Sequence, residues 1–338
     1  MYKVSVVMPT LDRADMVAAT IDRIQHQTVS RDLYEVLVVD NNSSDHTPAV
    51  LTAKAALYPN LRLFSQLKRG AAATRNVGIR EARGEIILFI DDDILAEPNL
   101  VEAHLTAHAT NPKASIIGAV VSPWEQSTDP FLRYLRDRAI FNPYSVASIP
   151  MDFSFYHTGN VSTSRKQLLE VGGFNEEFFL YGMEDIELGY RLERAGCRMV
   201  HAASAKAIHR YFPTYGHFVE RCHQAGHSLG KLVDLHPELK ERFTENGKRT
   251  QILKRFHRLY RLFTYTVHPF YRALEHWERK RGSGSVSNVL DQHYYWAVRY
   301  HFFLGHSQYG RSAGDRPTIK PVSRGRERIP RLAIERHE

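Results

Sequence analysis

A chain of 338 residues, 43% hydrophobic and 24% charged, can bury one large core or two ordinary ones, which excludes a disordered polypeptide. With only Cys197 and Cys222, a disulfide framework is excluded and a reducing compartment is expected. The net charge of +8 is placed unevenly: ten Lys/Arg and two Glu lie between Lys248 and Arg281, so the basicity belongs to that segment and its partner.

Val4 to Met8 reads as a buried strand. It is too short for a signal peptide, and no uncharged stretch of about 18 apolar residues follows, so no membrane-spanning helix is expected. Asp12 to Gln27 has helical spacing, with Met16, Ala19, Thr20 and Ile24 on one face. Tyr34 to Asp40 is a second strand ending in an acid. Asn41-Asn42-Ser43-Ser44-Asp45 is turn chemistry, and Thr47-Pro48 starts a helix. Leu61 to Phe64 is a third strand, and Gly70 to Gly78 opens a helix whose small residues permit close packing. Ile86 to Ile90 is a fourth strand, apolar throughout and so buried on both faces. It runs directly into Asp91-Asp92-Asp93.

Three carboxylates at the end of a buried strand repel one another and are costly to desolvate. A hard divalent cation would resolve this. A solvated turn capping a helix near Glu97-Pro98 would also do so. Strands alternating with helices predict a doubly wound, mostly parallel α/β sheet, in which ligands bind beyond the carboxyl ends of the strands. Pro9-Thr10, Asp40 and Asp91 to Asp93 all fall on that edge, and Arg75 can add a cation. Acids for base and ribose, with a metal and an arginine for phosphates, suit a nucleoside diphosphate. Neither a Gly-x-Gly-x-x-Gly turn nor a Walker lysine loop occurs, which removes a Rossmann dehydrogenase and a P-loop NTPase.

In the middle of the chain, Ser115 to Val121 and Thr158 to Ser162 read as strands, the latter approaching a tight turn. Asp129 to Ala139 reads as a helix, and Gly172-Gly173 marks a sharp bend. Glu184 and Asp185 begin a helix, where acids suit the macrodipole. The same position would also let Asp185 act as a general base. His209 ends a short apolar run and is either structural or a metal ligand. Residues 215 to 245 look helical, with His217, Arg221, His223 and His227 either on a solvated face or lining an acceptor channel.

From Gln251 to Val267 one helical face is apolar and the other carries Lys254, Arg255, Arg258 and Arg261. Pro269 ends or kinks that helix, and Gly282-Ser283-Gly284-Ser285 is a flexible turn. Tyr294, Tyr295, Trp296, Tyr300, Phe302 and Phe303 then form an aromatic-rich segment. Such helices suit an anionic membrane surface, and equally a hairpin packed on the catalytic domain. No motif supports nucleic-acid binding.

Six short elements, in order, resemble glycosyltransferase family 2. They are Val6-Val7-Met8-Pro9-Thr10, Val39-Asp40-Asn41-Asn42-Ser43-Ser44-Asp45, Gly70 through Gly78, Asp91-Asp92-Asp93, Gly172 to Glu176, and Glu184 to Arg191. The resemblance spans about residues 3 to 210. It implies a GT-A fold: residues 1–120 the nucleotide-sugar half, 121–214 the acceptor and catalytic-base half, 215–310 a helical extension, and 311–338 a basic, loosely ordered tail. It also implies a metal-dependent, inverting transfer from a nucleotide sugar, first expected to be a UDP-sugar, to a saccharide or lipid-linked saccharide. Pro9, Thr10, Asp40, Arg75, Asp91 and Asp92 would bind the nucleotide, with Asp91 on ribose and Asp92 given no particular contact. Asp93 and His209 would hold Mn²⁺ or Mg²⁺. Gly159, Asn160 and Glu184 would meet the acceptor or donor sugar, and Asp185 would be the catalytic base. The expected location is cytoplasmic, with peripheral attachment to the inner face of the membrane as the variant the basic segment suggests. A sugar nucleotidyltransferase and a non-enzymatic sugar-nucleotide-binding module are the alternatives.

Overall fold

The computed structural model describes residues 2–122, 124, 127–138, 151–243, 270–280 and 287–309. The amphipathic stretch Gln251 to Val267, the turn Gly282 to Ser285 and the tail from Gly310 lie outside the described residues.

The sheet has eight strands: β1 (Val4–Thr10), β2 (Tyr34–Asp40), β3 (Leu61–Ser65), β4 (Ile86–Ile90), β5 (Ile94–Ala96), β6 (Ala114–Val121), β7 (Asn160–Ser164) and β8 (Arg198–His209). Their order is β3-β2-β1-β4-β7-β6-β8-β5. The first four are parallel and form the predicted α/β half. Beyond them β7 runs antiparallel to both β4 and β6, β8 is parallel to β6, and β5 is antiparallel to β8. The sheet is therefore mixed. The reversal has a functional consequence, because it brings the start of β7 to the edge where β1, β2 and β4 end.

Alternate residues of the buried strands serve opposite faces. Val7, Leu37, Ile87 and Phe89 face α3 (Ala71–Glu81), α6 (Arg165–Glu170) and α7 (Glu184–Arg194). Val4, Val6, Met8, Val36 and Val38 face α1 (Ala14–Ile24), α2 (Thr47–Leu57) and α4 (Leu100–Thr110). The buried stripe of α1 is Val17, Thr20, Ile21 and Ile24, not Met16 and Ala19. Gly78 lets α3 lie directly on β1, since a Cβ there would stand 2.3 Å from Val7 Cγ1.

Two elements differ from expectation. The aspartate triplet leads into the three-residue β5, not into a helix cap, and α4 begins only at Leu100. Strand β8 is 12 residues long although its sequence, Arg-Met-Val-His-Ala-Ala-Ser-Ala-Lys-Ala-Ile-His, has no sustained period. Its pairing with β6 shifts register between Gly118 and Ala119, which breaks the alternation that marks a strand in sequence.

The remaining helices are α5 (Pro130–Asp137), α8 (Tyr215–Leu235), α9 (Lys240–Phe243), α10 (residues 270–280) and α11 (Asn288–Tyr309). For residues 287–309 the packed alternative holds. A Cβ on Gly226 would lie 1.9 Å from the Phe302 carbonyl oxygen, and one on Gly305 would lie 1.9 Å from that of His223. The backbones of α8 and α11 thus touch at glycines. Leu290 and Tyr294 bury against Phe131, Tyr134 and Phe218.

Behind the sheet, His104 and His108 of α4 converge on Ser162 Oγ, each at 2.8 Å, and His104 Nε2 meets Asn160 Oδ1 at 2.8 Å. Burial pulls both imidazoles down to about 4. They fold neutral, so the unfolded chain binds more protons between about pH 4 and 6.5, and stability falls as pH drops through that window. Thermal unfolding from pH 7 to 4.5 is expected to show this loss, and His104→Gln should flatten it. An unchanged slope in the variant would show that the titration lies elsewhere.

Candidate active site

The site forms where β1, β2 and β4 end and β7 begins. Asn41 shapes its floor. Its Nδ2 donates to the carbonyls of Gln66 and Lys68, and its Oδ1 accepts from the Gly70 amide at 2.9 Å. This ties the end of β2 to the start of α3. Asp40 accepts from the Ser43 amide and hydroxyl, closing the predicted turn. Pro9 pairs with Val39 and Thr10 with Asp40 in the same register, so both lie beside that acid.

The three aspartates have three different environments. Asp91 is the most open and accepts from Arg75 Nη2 at 2.6 Å. Asp92 is turned inward: Thr10 Oγ1 donates to its Oδ2 at 2.8 Å and Arg13 Nη1 to its Oδ1 at 2.9 Å. Its carbonyl also accepts from Thr20 Oγ1. These contacts make Asp92, which the sequence grouped with the nucleotide-binding residues without a particular contact, a support for the loop. Asp93 accepts from the same Arg13 nitrogen at 2.6 Å, and its other oxygen lies 3.6 Å from His209 Nε2. Its carbonyl accepts from the Arg210 amide, locking the triplet to the end of β8.

Burial pushes the Asp92 carboxyl up to about 6, with Asp93 adding to the shift and Arg13 opposing it. Burial acts on Asp93 in the same sense, but His209 and Arg13 outweigh it and hold that carboxyl well below its ordinary value. One cation thus serves two adjacent acids unequally. Arg13 was not among the residues singled out from sequence. Its signal was positional, since the loop after β1 must cross the ligand-binding edge.

Arg75 lies between the two halves of the site. Nη1 reaches Glu184 Oε1 at 3.2 Å while Nη2 holds Asp91, and the side chain is 5% exposed. Arg75 Nε and Glu184 Oε2 are buried without a hydrogen-bond partner. Unmet buried polar atoms at one junction mark a place where a polar ligand would complete the set. Burial, helped by the charge of Asp185, pushes Glu184 up to about 7 against the pull of Arg75.

Asp185 is positioned by an uncommon turn. Gly182 and Met183 have φ of +87° and +72°, and the chain then enters α7. Met183 bears the cost of a left-handed residue without glycine's freedom. One Asp185 oxygen accepts from the Ile186 amide at 2.8 Å, and the other lies 3.5 Å from His157 Nδ1. Burial would raise this carboxyl, but His157, Arg75 and the amide hold it below its ordinary value. His157 is a second residue that the sequence reading passed over.

Two of the expected sugar contacts separate. Gly159 lies at the mouth of β7, and a Cβ there would meet only Ile94. Asn160 is buried and fully engaged: its amide donates to the carbonyls of Ala119 and Ala205, and its oxygen meets His104. It is a structural brace across β6, β7 and β8, which corrects its assignment to a sugar.

Asp93 and His209 fit a divalent cation in kind, one carboxylate and one imidazole, with water and diphosphate oxygens left to complete it. Among the described residues no group of three or more His, Cys, Asp or Glu side chains comes together as a metal site.

An α/β sheet with this mixed order and an acidic edge defines a GT-A domain. In shape it is similar to a mannosyltransferase from Pyrobaculum calidifontis in complex with GDP-Man and Mn²⁺, with a TM-score of 0.59, 19% identity, and 92% of this chain and 88% of that one covered. The model of glycosyl transferase family 2 matches residues 5–172, and that of the N-terminal domain of galactosyltransferase matches residues 140–218. Through these residues the chain belongs to glycosyltransferase family 2. Validoxylamine A glucosyltransferase of Streptomyces hygroscopicus subsp. jinggangensis is 29% identical over 70% of this chain, and the match spans 61% of that protein's length. Chondroitin synthase of Escherichia coli is 27% identical over 62% of this chain, and the match spans 35% of its length.

Proposed function

We propose that the chain transfers a glycosyl group from a nucleoside diphosphate sugar to a hydroxyl of a saccharide or lipid-linked saccharide, with inversion. The observation that supports this most directly is the Asp91–Arg75–Glu184 chain, which ends beside Asp185. In this reading it links the edge that binds the nucleotide to the carboxylate that serves as base. In this reading Pro9, Thr10, Asp40 and Asp91 bind base and ribose. Arg75 can exchange one acid for the diphosphate, to which a guanidinium fork is matched. Asp93 and His209 hold Mn²⁺ or Mg²⁺, which supplies positive charge where the leaving diphosphate becomes more negative. Asp185 takes the proton from the attacking hydroxyl. A single base with no second nucleophile gives one displacement, hence inversion. Gly159 leaves room for the sugar, and Glu184 positions Arg75.

UDP remains the first nucleotide to try. The basic segment from Lys248 to Arg281 is proposed to meet an anionic membrane surface, a peripheral mode of attachment. No helix among the described residues is long and apolar enough to cross a membrane.

Donor hydrolysis measured across UDP-, GDP- and dTDP-sugars with Mn²⁺ tests the reading. Turnover with one of them is expected, with loss on adding EDTA and recovery on adding Mn²⁺ in excess. Turnover indifferent to chelation would remove the metal from the proposal, and no turnover with any donor would remove the activity.

A further inference from the structure

Arg221, on α8, lies outside the chemistry described so far. Its guanidinium carbon sits 4.7 Å from the ring centre of Tyr181 and 4.5 Å from that of Tyr211. Each ring belongs to one side of the site. Tyr181 lies just before the Gly182-Met183 turn that delivers Asp185. Tyr211 stacks on His209 with ring centres 5.5 Å apart and an interplanar angle of 28°.

Both tyrosines are held in place. The Tyr181 amide donates to Gln224 Oε1 at 3.4 Å and its carbonyl accepts from Ser228 Oγ at 3.2 Å. The Tyr211 carbonyl accepts from Trp124 Nε1 at 2.9 Å, and its hydroxyl meets His217 Nδ1 at 2.6 Å. Arg221 is therefore fixed between the base side and the metal side of the edge. Ring contacts engage the guanidinium carbon and leave its in-plane N–H donors unspent. Among the described residues no acid or carbonyl accepts from them. The acids of the site are engaged elsewhere, Glu184 with Arg75 and Asp185 with His157, and the adjacent Glu220 accepts from Gln224. A pre-set cation with open donors beside a site for phosphorylated substrates is suited to an oxyanion.

We propose that Arg221 is an oxyanion-binding residue that takes a phosphate of a substrate where the Asp185 and His209 sides of the site meet. The proposal rests on the glycosyl-transfer reading of that site. The phosphate has two possible sources, the donor diphosphate or the diphosphate of a lipid-linked acceptor. The experiment separates them.

Binding of UDP, GDP and farnesyl diphosphate is measured with Mn²⁺ for the full chain and for Arg221→Met, with uridine and guanosine as phosphate-free controls. Loss of a charge-assisted hydrogen bond is expected to weaken at least one diphosphate by about 10-fold or more, leaving the nucleosides unchanged. Arg221→Lys should recover part of that loss. Weakening on UDP or GDP assigns the phosphate to the donor, and weakening confined to farnesyl diphosphate assigns it to the acceptor. Circular dichroism melting checks that the Met variant is folded. If it is not, the Lys variant carries the test, since a point charge without the planar fork should still bind the diphosphate several-fold less well. Equal binding of every probe by folded variant and parent would overturn the proposal, as would an equal loss for nucleosides and diphosphates. Should the parent bind farnesyl diphosphate through Arg221 but no nucleoside diphosphate, the glycosyl-transfer reading falls and the oxyanion site stands. If the parent binds neither class of probe, both fall.

Discussion

Asp185→Asn is expected to lower kcat by about 10²- to 10⁴-fold, the usual contribution of a positioned general base, while donor affinity stays within a few-fold. The neighbouring Glu184 makes this a real contest. Glu184 is pushed up to about 7, closer to the pH at which a base works best, whereas Asp185 is held below its ordinary value. Basicity alone would choose Glu184. Geometry chooses Asp185, because Glu184 is bonded to Arg75 with its other oxygen buried, while Asp185 faces the more open His157. A proton acceptor must first reach the hydroxyl. A carboxylate kept ionised by His157 is available at neutral pH, and the hydroxyl becomes acidic only as the sugar bond forms. The two substitutions separate the roles. Glu184→Gln should loosen Arg75 and weaken donor binding, so KM rises more than kcat falls. If instead Glu184→Gln abolished turnover and Asp185→Asn spared it, the roles would be reversed.

The parallel half of the fold was legible because Ile86 to Ile90 is apolar throughout and Val4 to Met8 and Tyr34 to Val39 are apolar but for Ser5 and Glu35, which suits strands buried on both faces of a parallel sheet. The second half was less so. Strand β8 carries Ser204, Lys206 and alternating small residues around a register shift, so period and polarity both mislead. The acids of the site announced themselves because like charges at a strand end need an explanation. Their partners did not. Arg13 and His157 are single residues in loops, and what distinguishes each is a contact to an acid far away in the chain. Asn160 failed in the opposite direction. It sits at the right edge, but the strand reversal turns its side chain inward to His104 and the backbone of β6 and β8.

Arg13→Met should destabilise the fold by about 3 to 5 kcal/mol, the cost of removing one partner from a buried ion pair. Here a single guanidinium nitrogen serves both Asp92 and Asp93, each of which is almost wholly enclosed. Without it two adjacent carboxylates face each other across a strand end, with only Thr10 and His209 left to compensate. The penalty has a direction in pH. In the parent Asp92 is already raised to about 6, and loss of the cation moves it further up. A carboxyl whose folded pKa is raised is costly while ionised and becomes less costly as pH falls through that value. The destabilisation should therefore be largest near pH 8 and shrink toward pH 5. Chemical denaturation of parent and variant across that range, with and without Mn²⁺, checks both the size and the sign. Mn²⁺ is expected to restore part of the variant's stability, since a cation at Asp93 and His209 supplies the charge that Arg13 took away. A variant as stable as the parent at pH 8 would show that Arg13 does not balance the triplet. A variant that Mn²⁺ fails to stabilise at any pH would count against Asp93 and His209 as metal ligands.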